Sequence, residues 1–263
     1  MRLTDTHCHL NLTDAFPDPG AALARAKENN VDRVLLVGMD TETSRRAVEL
    51  AKEHECVYAV VGWHPNYAAN YTSSGLKEIE SLAQEPEAVA IGEIGLDYHW
   101  DYASPEQQRL CTTDQVELAA DLGLPVVFHC RDAYADLLDW LEALQNPPVR
   151  MALHCFSGDE RDALRARALG CWFGVDGPIT YKKADDLRRI VSQMPTDRIL
   201  LETDSPYMAP HPYRGRPNEP AMLPLINDGL ASLLKMSPEQ SADITTANAD
   251  RFFALPPANF TPR

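Results

Sequence analysis

Eight short apolar runs rich in β-branched residues, each parted from the next by a longer amphipathic stretch, occupy most of this 263-residue chain. The runs span residues 3–10, 33–39, 57–64, 88–97, 125–131, 150–157, 171–177 and 198–205. They are too continuously apolar for half-exposed hairpin strands. A parallel sheet buried on both faces requires such strands, with a helix in every crossover. The gaps carry the matching signals: "TSRRAVELAKEH" from Thr43, "SPEQQRLCTTDQVELAADLG" from Ser104 with Pro just inside its N-cap, and closing glycines at Gly123 and Gly170. Eight such units without a break in composition predict a (β/α)8 TIM barrel, a single domain over residues 1–255. An open doubly wound sheet is the alternative. A further helix from Ser237 is expected to pack outside the barrel, followed by a Pro-rich tail over residues 256–263.

Polar residues at the ends of buried strands then call for a cause. His7 and His9 belong to the first run, Glu93 to the fourth, His129 to the fifth, His154 to the sixth and Asp204 to the eighth. All fall near the C-terminal end of their run, and in a parallel barrel those ends meet at one rim. Side chains alternate along a strand, so His7 and His9 share a face, while Cys130 and Cys155 point away from His129 and His154. An H-x-H pair alone is weak evidence, and a lone strand histidine is more often a satisfied core residue. A buried carboxylate in "AVAIGEIGLD" is harder to dismiss, because an unpaired buried charge is costly. Taken jointly, four imidazoles and two carboxylates in one register predict a site for two divalent cations, with Mg²⁺, Mn²⁺ and Zn²⁺ all compatible with the donors.

Bulk properties narrow the function further. With 24 basic against 39 acidic residues the formal charge is −15, which excludes a broad polyanion-binding face. A phosphate substrate would need a local positive centre, which bound metal supplies. The six cysteines contain no C-x-x-C pair and suit reduced, buried thiols. "MRLTDTHCHL" lacks the pattern of a secretory signal, and no apolar run approaches bilayer length. A cytoplasmic protein without membrane contact, most simply a monomer, is the expectation.

These residues belong to a chain of motifs, "DTHCHL", "GWHP", "IGEIGLDY", "LPVVFHCRDA", "HCFSG", "LLETDSPY", "YRGRPNEP" and "TTANADRFF", which resembles the TatD family of metal-dependent deoxyribonucleases in the amidohydrolase superfamily. The resemblance covers nearly the whole chain. It implies His7, His9, Glu93 and Asp204 around one metal, and Glu93, His129 and His154 around a second, with Glu93 shared. Cys111 stands where the family more often has an aromatic residue, a departure that touches packing and not chemistry.

The predicted function is hydrolysis of DNA phosphodiester bonds from an end, of the 3'-5' exonuclease type, by a metal-activated water. Asp204 is the expected proton acceptor and Glu93 the bridging carboxylate. His64, ending the third run, is expected to contact the phosphate or protonate the leaving oxygen, with a loop-capping role as its plain structural reading. Arg131, Arg214 and Arg216 are candidate phosphate contacts, and Tyr98 and Trp100 candidate stacking faces. Glu202 is either an orienting partner of a ligand or a member of an internal ion pair. Deacylation of a D-aminoacyl-tRNA is the alternative reaction on the same metals, since the fold does not fix the substrate. A noncatalytic metal-binding scaffold fits less well, because structural sites are closed and usually rich in cysteine.

Overall fold

In the computed structural model, which describes residues 1–256, the strands β1 (Leu3–Cys8), β2 (Val31–Val37), β3 (Val57–Val61), β4 (Ala88–Asp97), β5 (Val126–Arg131), β6 (Met151–Leu153), β7 (Trp172–Val175) and β8 (Ile199–Leu201) form one sheet in sequence order. Every neighbouring pair is parallel. Closure between β1 and β8 takes place just past the strand ends. Asp204 N donates to the His7 carbonyl at 2.9 Å and His9 N to the Ser205 carbonyl at 2.8 Å. The seam of the barrel thus runs through the predicted site. Seven helices fill the crossovers: α1 (Pro19–Glu28), α2 (Thr41–Glu53), α3 (Ser73–Ala83), α4 (Pro105–Leu122), α5 (Tyr134–Ala143), α6 (Glu160–Ala168) and α7 (Asp185–Val191). They are followed by α8 (Leu223–Leu234) and α9 (Pro238–Phe253). Among the described residues, no helix is long and apolar enough to cross a membrane.

Local chemistry sets the helix ends. Ser104 and Gln107 form a reciprocal capping box at the start of α4 with Pro105 at its first position, and Gly123 closes that helix at φ 68°. Asp40 with Thr43 and Ser237 with Gln240 repeat the box on α2 and α9. Strand alternation divides the core in two. Val34, Leu36, Ala59 and Ile91 belong to the layer between sheet and helices. Leu35, Val37, Val60, Ala90, Val127, Ala152 and Leu200 pack inside the barrel on Phe252 and Phe253 of α9. That helix closes the end opposite the strand C-termini. Asp250 pairs with Arg33, Asn248 bonds the Ile199 carbonyl and Thr246 the Arg2 carbonyl, all near the starts of strands. The extra helix is therefore the barrel's floor. Of the predicted tail, only Pro256 lies within the described residues.

Candidate metal centre and active site

Most strands stop short of the ends of the apolar runs, so of the predicted residues only His7, Glu93 and His129, with Arg131 at the rim, sit within them. His9, His64, His154 and Asp204 stand on the first turns beyond. All converge on one mouth, at a cavity of about 1070 Å³ lined by His9, His64, Glu93, His129, His154 and Asp204, with Asp97, Asp176 and Cys155 beside them. Glycine makes room at two points. At Gly95, with φ 138°, a Cβ would lie 2.0 Å from the His129 carbonyl, and at Gly174 it would lie 2.2 Å from Glu202 Oε1.

Glu93 is the centre of the arrangement. Its Oε1 lies 2.7 Å from His129 Nδ1, 2.9 Å from His154 Nε2 and 3.6 Å from His64 Nε2, while its Oε2 lies 3.5 Å from His7 Nε2. Burial alone would raise its pKa, but His154, His64 and His129 hold the carboxyl well below the usual range. Asp204 Oδ1 completes the other side, 3.5 Å from His9 Nε2 and 3.9 Å from His7 Nε2. Against the effect of burial, the same imidazoles lower its pKa. Asp204 holds a left-handed backbone at φ 54°, a conformation aspartate tolerates better than most side chains and one often found at functional sites.

Partners behind the rings decide which nitrogen faces the cavity. His9 Nδ1 meets the Val37 carbonyl at 3.0 Å, so it carries the proton and leaves the Nε2 lone pair for a ligand. His154 Nδ1 lies 3.3 Å from Glu202 Oε1, again leaving Nε2 toward Glu93. Glu202 is itself fixed by Cys155 N at 2.6 Å, and its contact with His154 fits both sequence readings, an orienting partner and a member of an internal ion pair. His64 is the opposite case. Its Nδ1 accepts from Asn66 N at 3.0 Å, capping the 3-10 turn of residues 65–70, so the neutral ring bears its proton on Nε2. Burial also pushes this imidazole down to about 3, which keeps it neutral. A neutral ring with that proton faces the cavity as a donor. Although its position groups it with Glu93 and His129 as a possible ligand, the hydrogen bonding assigns it a different part.

The donor set fits divalent cations on grounds internal to the structure. His7 is fully buried, yet neither ring nitrogen has a hydrogen-bond partner, and it stacks on His154 at 3.8 Å and 14°. Burial and the neighbouring His154 lower its pKa, so it is a neutral ring with an unused lone pair. Its separations from Glu93 and Asp204 are long for hydrogen bonds and of the size that parts two ligand atoms on one cation with bonds of about 2.0–2.2 Å. Asp5, Glu93, Asp97, Asp176 and Glu202 are all buried around it, and Arg131 is the one arginine or lysine among the described lining residues. Carboxyl oxygens and imidazole nitrogens thus crowd one interior space, a donor set of the kind that divalent cations take.

Three contributors escaped the sequence reading. Asp97 Oδ2 lies 2.8 Å from His129 Nε2, and its Oδ1 accepts from the backbone N–H of His99 and Trp100. Asp176 accepts from Cys155 Sγ at 3.0 Å; burial and Glu202 push its carboxyl up to about 8. Both occupy inward positions that strand alternation marks, residue 97 in step with Glu93 and residue 176 in step with Trp172. Cys155 corrects the alternation argument. β6 stops at Leu153 and Cys155 turns at φ 44°, so its thiol reaches the cavity instead of pointing away. Cys130 also touches the lining.

The rim residues divide. Arg131 and Trp100 line the cavity, the guanidinium 5.8 Å from the ring centroid. Tyr98 does not line it; its hydroxyl donates to Asp136 at 2.9 Å. Arg214 and Arg216 are exposed outside the lining, the former over Tyr181 at 4.6 Å.

The sequence matches the family model for TatD related DNase over residues 4–254. It is 38% identical over 253 residues to the metal-dependent hydrolase YabD of Bacillus subtilis, covering 96% of this chain and 99% of that protein. It is 36% identical over 251 residues to the 3'-5' ssDNA/RNA exonuclease TatD of Cronobacter sakazakii, covering 93% and 95% of the two. The crystal structure of YJJV, a TatD homologue from Escherichia coli, superposes with a TM-score of 0.91 at 30% identity over 97% of this chain and 99% of that one.

Proposed function

Because the chain belongs to the TatD related DNase family, a family of metal-dependent hydrolases, we propose that it is an exonuclease that shortens single-stranded DNA from an end, in the 3'-5' direction named for the Cronobacter relative. The observation that carries this reading is Glu93, whose two oxygens face separate sets of nitrogen donors, His7 on one side and His129 with His154 on the other. His7, His9, Glu93 and Asp204 would hold one divalent cation, and Glu93, His129 and His154 a second. Such a pair, Mg²⁺, Mn²⁺ or Zn²⁺, supplies the charge that acidifies a water and offsets the charge building on a phosphoryl group.

The side chains do the rest. Asp204, partly open to the cavity, takes the proton of the attacking water. His64 offers its Nε2 proton to the phosphoryl or leaving oxygen. Arg131 steadies a neighbouring phosphate at the rim. Asp97 and Glu202 keep His129 and His154 in place. Every group comes from one chain, so the monomer is a complete unit, and six free cysteines favour a reducing cytoplasm.

Metal-stripped protein given each ion separately should shorten end-labelled single-stranded DNA stepwise, and Asp204→Asn should abolish the shortening. Intact DNA alongside cleavage of a D-aminoacyl-tRNA ester would overturn the nuclease reading and leave the metal centre standing.

A further inference from the structure

Exposed aromatic side chains crowd one side of the cavity. Trp100 is 44% and Tyr102 59% exposed, both line the cavity, and their rings lie nearly parallel at 5.6 Å and 16°. Contiguous exposed apolar surface at a cavity mouth often marks a ligand-binding groove. Trp100 is held from behind. The His99 ring meets Trp100 edge-on at 4.8 Å, and the backbone N–H of Trp100 donates to Asp97, the same carboxylate that fixes His129. Trp100 is therefore tied through Asp97 to the candidate metal centre, and Tyr102 lies against Trp100.

Electrostatics leave it a specific task. The chain carries a net charge of −15, and only Arg131 among the described lining residues is a lysine or arginine. Arg131, beside Trp100, is a single guanidinium available to a phosphate. Away from the metal centre, little positive charge lines the cavity to grip further phosphates.

We propose that Trp100 and Tyr102 form a stacking platform for an unpaired nucleobase next to the scissile phosphate, so that the substrate is gripped by a base face more than by its backbone. The proposal rests on the nuclease reading. It explains a preference for single strands in physical terms, since the faces of a base inside a duplex are already covered by its neighbours.

The test uses metal-loaded enzyme and oligothymidylates carrying one 5,6-dihydrothymidine, a base that keeps its hydrogen-bonding edge but loses its flat face, placed in turn at each of the terminal positions. Stacking predicts a rise in KM of roughly tenfold at one or two positions, with kcat little altered. W100A/Y102A should raise KM for the unmodified strand by a similar factor and remove the sensitivity to dihydrothymidine, while W100F/Y102F restores both. Thermal unfolding and bound-metal content report separately that the variants are folded and loaded. Undiminished dihydrothymidine sensitivity in W100A/Y102A, or an unchanged KM, would overturn the platform. Should the wild type cleave no DNA, the nuclease reading falls by itself, and quenching of tryptophan fluorescence by the two oligonucleotides still decides: equal quenching by flat and saturated bases overturns the platform too.

Discussion

The lower and upper halves of the barrel interior are built on the same strands and have opposite characters. Below, Ala90, Val127, Ala152, Trp172 and Leu200 interlock with Phe252 and Phe253 of α9. A few residues further along, at the strand ends or on the turns just past them, stand Glu93, His129, His154, Asp176, Glu202 and Asp204. The lower half gains free energy from removing apolar surface from water. The upper half places ionisable groups in the interior, where each needs a partner or a cation. Stability and chemistry are thus separated by about two residues of strand, roughly 7 Å.

Substitutions in the two halves should therefore fail in different ways. The largest effect belongs to the upper half: Asp204→Asn should lower kcat on single-stranded DNA by about 10²–10⁴-fold, the range for removing a positioned proton acceptor. Its urea midpoint should move less than that of a floor variant; equal loss of stability would break the division. Phe252→Ala in the floor, where the side chain is fully buried, should cost about 3–5 kcal/mol of unfolding free energy, read from urea melts. Activity per folded molecule should survive at low denaturant.

Glu202→Gln sharpens the comparison within the upper half. It should weaken metal binding by about 10–100-fold, measured by titrating metal into stripped enzyme, because His154 loses the carboxylate behind it.

A smaller effect concerns pH. Asp176 is pushed up to about 8 from an ordinary value of 3.8, so the folded metal-free protein holds a proton that the unfolded chain releases near pH 4. Stability from this group is fully present below about pH 4 and is lost as pH rises toward about 8. Asp176→Asn should flatten that decline in metal-free protein; an unchanged slope would show that the carboxyl is ionised throughout. The smallest effect lies outside both halves. Tyr98→Phe removes an exposed hydroxyl bond to Asp136 and should cost at most about 1 kcal/mol, with KM for DNA unchanged within about twofold.

The chain is legible where its rules are local. Strand alternation and helix caps are written in neighbouring residues, so the eight runs, the barrel and the strand-end positions of His7, His9, Glu93, His129, His154 and Asp204 follow from sequence. Asp97 was open to the same rule, being in step with Glu93 on β4, and Asp176, one residue past β7, continues the step of Trp172.

Tertiary structure decided what lies past the strand ends and across the sheet. Where β6 ends, the backbone turns at Cys155 and alternation ceases to predict a direction. Which nitrogen of a ring faces the cavity depends on a carbonyl or carboxylate from elsewhere, Val37 for His9 and Glu202 for His154. Arg131, the last residue of β5, stands at the rim, whereas Tyr98 just past β4 and the loop residues Arg214 and Arg216 lie outside the lining. Composition supplied arginines and aromatics, and only the fold chose among them. The physical reason is range: alternation is fixed by the geometry of adjacent peptides, whereas a hydrogen bond between Asp5 and Thr203, 198 residues apart, exists only once the barrel has closed.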